Sequence, residues 1–183
     1  MKRFVPVAAL LIGVVAAAVA VIAPAFAGDG PLSPELQQVR AAVARYHSLN
    51  QALNDGYVLN AGEACVASPP APTLDGSRGT MGIHVANPAL LGDPAIDPLR
   101  PELLLYVPDE QGKLKLVGVE YWKADADQNL ATSGDRPSLF GHPFQGPMPG
   151  HTLTMPIHYD LHAWVAEANP NGEFAQFNSA ISC

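Results

Sequence analysis

The chain has 183 residues, of which 10 are Lys or Arg and 17 are Asp or Glu, giving a formal net charge of −7 at pH 7. This acidic balance argues against binding of nucleic acid or anionic lipid, because neither phosphate surface would be neutralised. The sequence also contains no GxSxG, GxxxxGK, GxGxxG, HExxH or CxxC motif. Composition and motifs therefore leave open whether the protein is an enzyme.

The first 27 residues have the three-part plan of a secretory signal peptide. Positions 2 and 3 are basic, residues 4–22 are apolar, and Ala25-Phe26-Ala27 fits the small-x-small cleavage pattern. We therefore predict a single secreted or periplasmic domain, residues 28–183, with no stable membrane insertion after cleavage. Loss of the two basic residues changes its formal net charge to −9. The alternative is an uncleaved anchor, since the apolar run is almost long enough to span a bilayer.

The two cysteines, Cys65 and Cys183, both lie in the predicted mature domain. An even number of cysteines in an exported chain indicates a disulfide. Because this bond would enclose most of the domain, the chain-entropy estimate of its stabilisation is on the order of 4 to 5 kcal/mol. A pair of free thiols in a metal site is the alternative, and the oxidising compartment and the missing CxxC spacing disfavour it.

A helix is predicted over residues 33–54. Ser33-Pro34-Glu35 combines a hydroxyl cap, a proline in the first turn and an acid near the positive helix end, and Gly56 suits the left-handed stop. Apolar side chains recur at steps of three and four residues, which predicts one face packed against the rest of the domain. These side chains are Leu36, Val39, Val43, Tyr46, Leu49 and Leu53.

The remainder of the chain is typical of short strands separated by turns. Residues 61–79 are rich in Pro, Ala, Ser and Gly and predict a loop. Strands are predicted at 80–86, 103–107, 114–122 and 156–166, with hairpin turns at 109–112 and at 169–172, the second returning into 173–177. The predicted fold is α+β, with the amphipathic N-terminal helix packed on a mostly antiparallel sheet of five to seven strands that can be curled or barrel-like.

The segment 157–165 carries the clearest candidate site. Read as a strand, its alternation places His158, Asp160 and His162 on one face, with the apolar residues on the other. Two imidazoles and a carboxylate that point the same way are typical metal ligands in sheet proteins. We predict a metal site with His158 and His162 at its centre and Asp160 as a ligand or as a supporting acceptor.

Other residues are candidates for the same site. His84 and Glu120 each alternate with apolar residues on a predicted strand, and we expect them to be further ligands. His142 and His151 lie in the Pro- and Gly-rich segment 134–156 and are possible contributors from a loop. Imidazoles with a carboxylate suit a transition metal, and we expect zinc or copper as the cofactor.

Two other interpretations remain open. A sheet with one buried and one wet face shows the same alternation, and its polar side chains then need no ligand. Alternatively, the protein is a non-enzymatic binding or interaction module that presents the 134–156 segment and three exposed aromatic side chains to a small ligand or protein partner. These aromatic residues are Tyr121, Trp122 and Trp164.

Overall fold

The computed structural model describes residue 1 and residues 31–60, 64–151 and 155–183. The rest of the predicted signal peptide and its cleavage site lie outside the described residues. Within the part of the chain that is described, no helix combines the length and the apolar character needed to cross a membrane.

The N-terminal helical region begins and ends where the sequence predicts but is broken in the middle. Helix α1 (Pro34–Val43) starts where Ser33 Oγ accepts a hydrogen bond from the Leu36 amide at 3.2 Å. A 3₁₀ turn (Ala44–His47) and a second helix, α2 (Leu49–Asn54), follow. The prediction of one continuous helix is wrong here, because Ser48 is extended and the hydroxyl of Tyr106 donates to the Tyr46 carbonyl at 2.6 Å.

Six strands of the described chain form one strongly curled, half-barrel sheet, in which every neighbouring pair is antiparallel. The strands of the described chain are β1 (Val66–Ala67), β2 (Thr80–Ala86), β3 (Leu103–Pro108), β4 (Leu114–Ala124), β5 (Ser138–Leu139), β6 (His142–Pro143), β7 (Gln145–Met148) and β8 (His158–Ala163), and a short helix, α3 (Pro88–Leu91), lies between β2 and β3. The order in the six-stranded sheet is β1-β2-β3-β4-β8-β7, and β5 and β6 form a separate small pair. The α+β prediction is confirmed.

Both predicted turns are present, since the Gly172 amide donates to the Asn169 carbonyl at 2.9 Å, but only the first turn joins two strands. The turn at 109–112 joins β3 to β4, and the Gly112 amide donates to the Asp109 carbonyl at 2.8 Å. The predicted strand at 173–177 is wrong, because those residues form turns and contact the sheet at separate points. One such contact is the hydrogen bond from the Trp164 amide to the Glu173 carbonyl, at 3.0 Å.

The sheet has a first face, against α1, and a second face on the opposite side. The main core lies between the first face and α1. Its buried side chains include Tyr106 from the sheet and Leu36 and Val39 from α1. The second face carries a smaller cluster against which the C-terminal Ile181 packs: Leu105, Val107, Val117 and Trp164. Both faces are therefore covered.

The C-terminal segment is held beside the second face. Thr80 and Asn178 exchange two backbone hydrogen bonds, at 2.9 and 3.0 Å. The predicted disulfide between Cys65 and Cys183 is present, and it closes a sequence separation of 118 residues. The expectation of exposed aromatics is wrong for Tyr121, Trp122 and Trp164, which are all buried, Tyr121 of them in the core of the first face. Alternation separates two faces, but it does not reveal that a distant segment covers the second one.

Candidate metal centre

Strand β8 places its polar side chains together on the second face. Tyr159, Leu161 and Ala163 belong to the core of the first face. His158, Asp160 and His162 alternate with them and are almost completely buried, each at most 1 % exposed. The division that the sequence predicts for this strand is therefore present, and its polar half is enclosed within the protein.

Strand order and register bring two further side chains to His162. Glu120 of β4 is the direct cross-strand partner of His162. His84 lies on β2, two strands away from β4, in register with Leu105 of the intervening β3. The curl of the sheet closes this separation, so that donors from three different strands meet over one small area.

The distances within this group are short. His84 Nε2 lies 3.1 Å from Glu120 Oε2, and His162 Nε2 lies 3.8 Å from the same oxygen. One donor atom from each of the three residues lies within 4.8 Å of the others. Two ligand atoms that bind the same tetrahedral zinc ion lie about 3.4 Å apart. The three-donor group of His84, Glu120 and His162 could therefore hold a metal ion after small side-chain movements.

The hydrogen bonding of His162 also points to a ligand. Neither of its ring nitrogens has a hydrogen-bond partner among the described residues, and both atoms are buried. A buried polar group left unpaired costs about 1–3 kcal/mol, and such groups are uncommon in native proteins. A metal ion on Nε2 would satisfy one of these nitrogens.

The electrostatics of the group suit metal binding. Burial lowers the pKa of His162 to about 4, so at neutral pH the ring keeps the lone pair that a metal ligand needs. Burial by itself raises the pKa of Glu120, but His162 and His84 outweigh this effect and hold the pKa below its ordinary value. The donor set is thus an ionised carboxylate with imidazoles, a combination that favours transition metals over calcium or magnesium.

Asp160 lies next to this group, on the opposite side of the His162 ring. Its Oδ1 is 3.8 Å from His162 Nδ1 and has no hydrogen-bond partner within the described chain. Burial raises the pKa of Asp160 well above its usual range, and the neighbouring Glu120 adds to that effect. This placement suits an acceptor that orients the imidazole from its second nitrogen.

The other predicted histidines lie outside the three-donor group. His158 faces Ala124 rather than Glu120, and its ring stacks on Trp122 with centroids 5.7 Å apart. His151 is exposed, although its ring lies 5.4 Å from that of His158. His142 is also exposed, and its ring lies 4.2 Å from that of Phe174.

Sequence reasoning missed the contribution of Gly118. A Cβ at this position would lie 3.2 Å from Trp164 Cε3 and 3.0 Å from the Ala163 carbonyl oxygen. The indole of Trp164 occupies this space and stacks beside His162, with centroids 6.3 Å apart. A glycine inside an apolar strand is the signal that could have indicated such a close approach.

The site thus consists of three donor residues, one each from β2, β4 and β8. Asp160 and the indole of Trp164 both lie next to the His162 ring. Comparison with known family models, curated proteins and solved structures found no significant match to this chain.

Proposed function

We propose that this protein is an exported metal-binding domain that holds one divalent transition-metal ion, zinc in the first place, through His84, Glu120 and His162. The observation that supports the proposal is the convergence of three donor atoms within 4.8 Å around an imidazole whose two buried nitrogens lack hydrogen-bond partners within the described chain. A metal ion would account for the convergence and would satisfy Nε2 of His162.

Zinc suits this donor set better than copper. Two imidazoles and one carboxylate form the three-ligand set of many catalytic zinc sites, whereas strong copper sites commonly add sulfur. Three protein ligands leave a fourth tetrahedral position for water or a small ligand. The side chain of His84 is the most exposed of the three, at 16 %, so we expect access to that position from its side. Whether the bound ion supports a reaction depends on what enters there.

The disulfide is consistent with the proposed location. The bond between Cys65 and Cys183 is of the kind that persists in secreted and periplasmic proteins. The acidic net charge of the chain also favours cation binding over binding of nucleic acid. We therefore propose that the domain meets its metal after export.

The direct experiment is elemental analysis of the exported protein, purified without a histidine tag, followed by zinc and copper titration of the metal-free protein. We expect one zinc ion per chain. Glu120→Gln and His162→Gln should abolish stoichiometric binding, whereas His47→Gln, which removes an exposed histidine, should leave it unchanged. Binding weaker than about 10 μM, or roughly 7 kcal/mol, would contradict the proposal.

One observation favours a second candidate function, the binding of a small ligand. A groove of about 980 Å³ lies beside β6 and β7, and His142, Gln145 and Phe174 contribute to its lining. Ligand pockets fall in this size range. Ligand-observed NMR with a library of monosaccharides and aromatic amides would test it. Binding that Phe174→Ala removes and Glu120→Gln preserves would support this candidate over the metal site.

A further inference from the structure

His158 has the environment of a metal ligand although it lies outside the three-donor group. Its Nδ1 is 3.1 Å from the carbonyl oxygen of Pro156, which can only accept, so in the neutral ring Nδ1 carries the proton and donates. The lone pair is then on Nε2, which is buried and has no hydrogen-bond partner in the described parts of the chain. Metal-binding histidines typically donate their second ring N–H to a carbonyl or carboxylate in this way.

A methionine lies opposite His158 on the neighbouring strand. Met148 of β7 is the direct cross-strand partner of His158 and is also buried. The Cβ atoms of such partners are about 4.5–5.5 Å apart, and the flexible methionine side chain can reach across that distance. Sulfur from methionine is a soft ligand that selects monovalent copper.

A second imidazole approaches from the 134–156 segment. The rings of His151 and His158 have centroids 5.4 Å apart and lie nearly perpendicular, at 83°. The His151 amide donates to Met155 Sδ at 3.5 Å, which fixes the backbone that carries this ring. Trp122 also stacks on the His158 ring and limits its rotation.

These side chains are separate from the three-donor group. His158 and His162 are four residues apart on β8, which corresponds to about 13 Å between their Cα atoms. They also face different partners on β4, Ala124 for His158 and Glu120 for His162. One ion cannot bind both sets of ligands without a rearrangement of the strand.

We propose that His158, Met148 and His151 form a second metal site, which takes monovalent copper. Two imidazoles and a thioether are softer ligands than the oxygen-containing three-donor group. The two sites therefore differ in metal preference, with monovalent copper at this site and zinc at the three-donor group. The proposal does not depend on zinc binding by the first site, because it rests on different residues.

The test is a titration of the disulfide-intact, metal-free protein with monovalent copper, in competition with a chromogenic chelator. We expect one copper ion per chain and a sulfur shell in the X-ray absorption spectrum. Met148→Leu should weaken binding at least tenfold and remove the sulfur shell, and His158→Gln should also weaken binding. Met81→Leu is the matched control, because it removes a buried methionine on β2, three strands away from β8.

Glu120→Gln separates this proposal from the first one. It should abolish zinc binding and leave monovalent copper binding unchanged. Loss of copper binding in Glu120→Gln but not in Met148→Leu would place copper in the three-donor group and overturn the second site. Unchanged copper affinity in both Met148→Leu and His158→Gln, or no stoichiometric copper binding by the parent protein, would also overturn it. Thermal unfolding of each variant shows whether the fold is retained.

Discussion

Glu120 and His162 face one another across β4 and β8, and Glu120 Oε2 lies 3.8 Å from His162 Nε2. This separation is too long for a hydrogen bond, yet it is close to the spacing of two ligands on one metal ion. The two side chains are 6 % and 1 % exposed, so water satisfies neither group well. This pair is the centre of the proposed site, and His84 completes it from β2.

Zinc should stabilise the parent protein and not the Glu120→Gln variant. A ligand at about 100 times its dissociation constant adds about 2.7 kcal/mol to the free energy of unfolding, if the unfolded chain does not bind it. Urea unfolding with and without zinc would measure this gain. Glu110→Gln, an exposed substitution in the β3–β4 turn, should retain the gain. An equal gain in Glu120→Gln would show that zinc binds elsewhere.

Asp160→Leu, which removes the acceptor at similar volume, should weaken zinc binding without removing it. In the parent protein Asp160 Oδ1 has only to move about 1 Å to accept a hydrogen bond from His162 Nδ1, now 3.8 Å away. Loss of such a supporting acceptor typically costs 10–100-fold in metal affinity. Competition with a fluorescent zinc chelator would measure the change. An unchanged zinc affinity in a variant that still folds would exclude this positioning role.

Glu102 should make the protein less stable as the pH rises. Burial raises the pKa of Glu102 to about 7, whereas an unfolded chain has the ordinary value near 4.5. Between these values the folded state binds more protons than the unfolded state, so its stability falls with increasing pH. The full penalty, on the order of 3 kcal/mol, is present above about pH 7.

Glu102→Gln isolates this effect, because the amide oxygen can still accept the hydrogen bond from the Trp122 amide. The difference in unfolding free energy between variant and parent should be small at pH 4.5 and should grow in favour of the variant up to pH 8. Urea unfolding at several pH values in the presence of a chelator would measure it. A difference that is constant across this range would contradict the assignment.

Removal of the disulfide should destabilise the fold and loosen the cover of the second face. Replacing both Cys65 and Cys183 by alanine should lower the free energy of unfolding by about 2–5 kcal/mol, because the bond closes a long loop. Since Ile181 packs on the second face, zinc should also dissociate faster from this variant. Stopped-flow chelation would measure that rate. An unchanged rate would mean that the C-terminal segment does not control access.

Local sequence patterns were sufficient to predict the start of α1, the four long strands and the two faces of β8. Ser33 caps α1 because a side-chain oxygen next to the first free amides acts within a few residues. Likewise, the alternation around Asp160 follows from the period of a strand. The break in the helix was not predictable in this way. The hydroxyl that donates a hydrogen bond to the Tyr46 carbonyl belongs to Tyr106, 60 residues away in sequence.

The sequence by itself determined which residue types can bind a metal and which strand face carries them. Only the tertiary structure decided that His84 and Glu120 meet His162, because that depends on strand order, register and the curl of the sheet. It also placed His158 beside Met148 instead of in the three-donor group. The physical reason is that side-chain alternation is a property of one strand, whereas the burial and convergence of these groups depend on contacts between segments far apart in the chain.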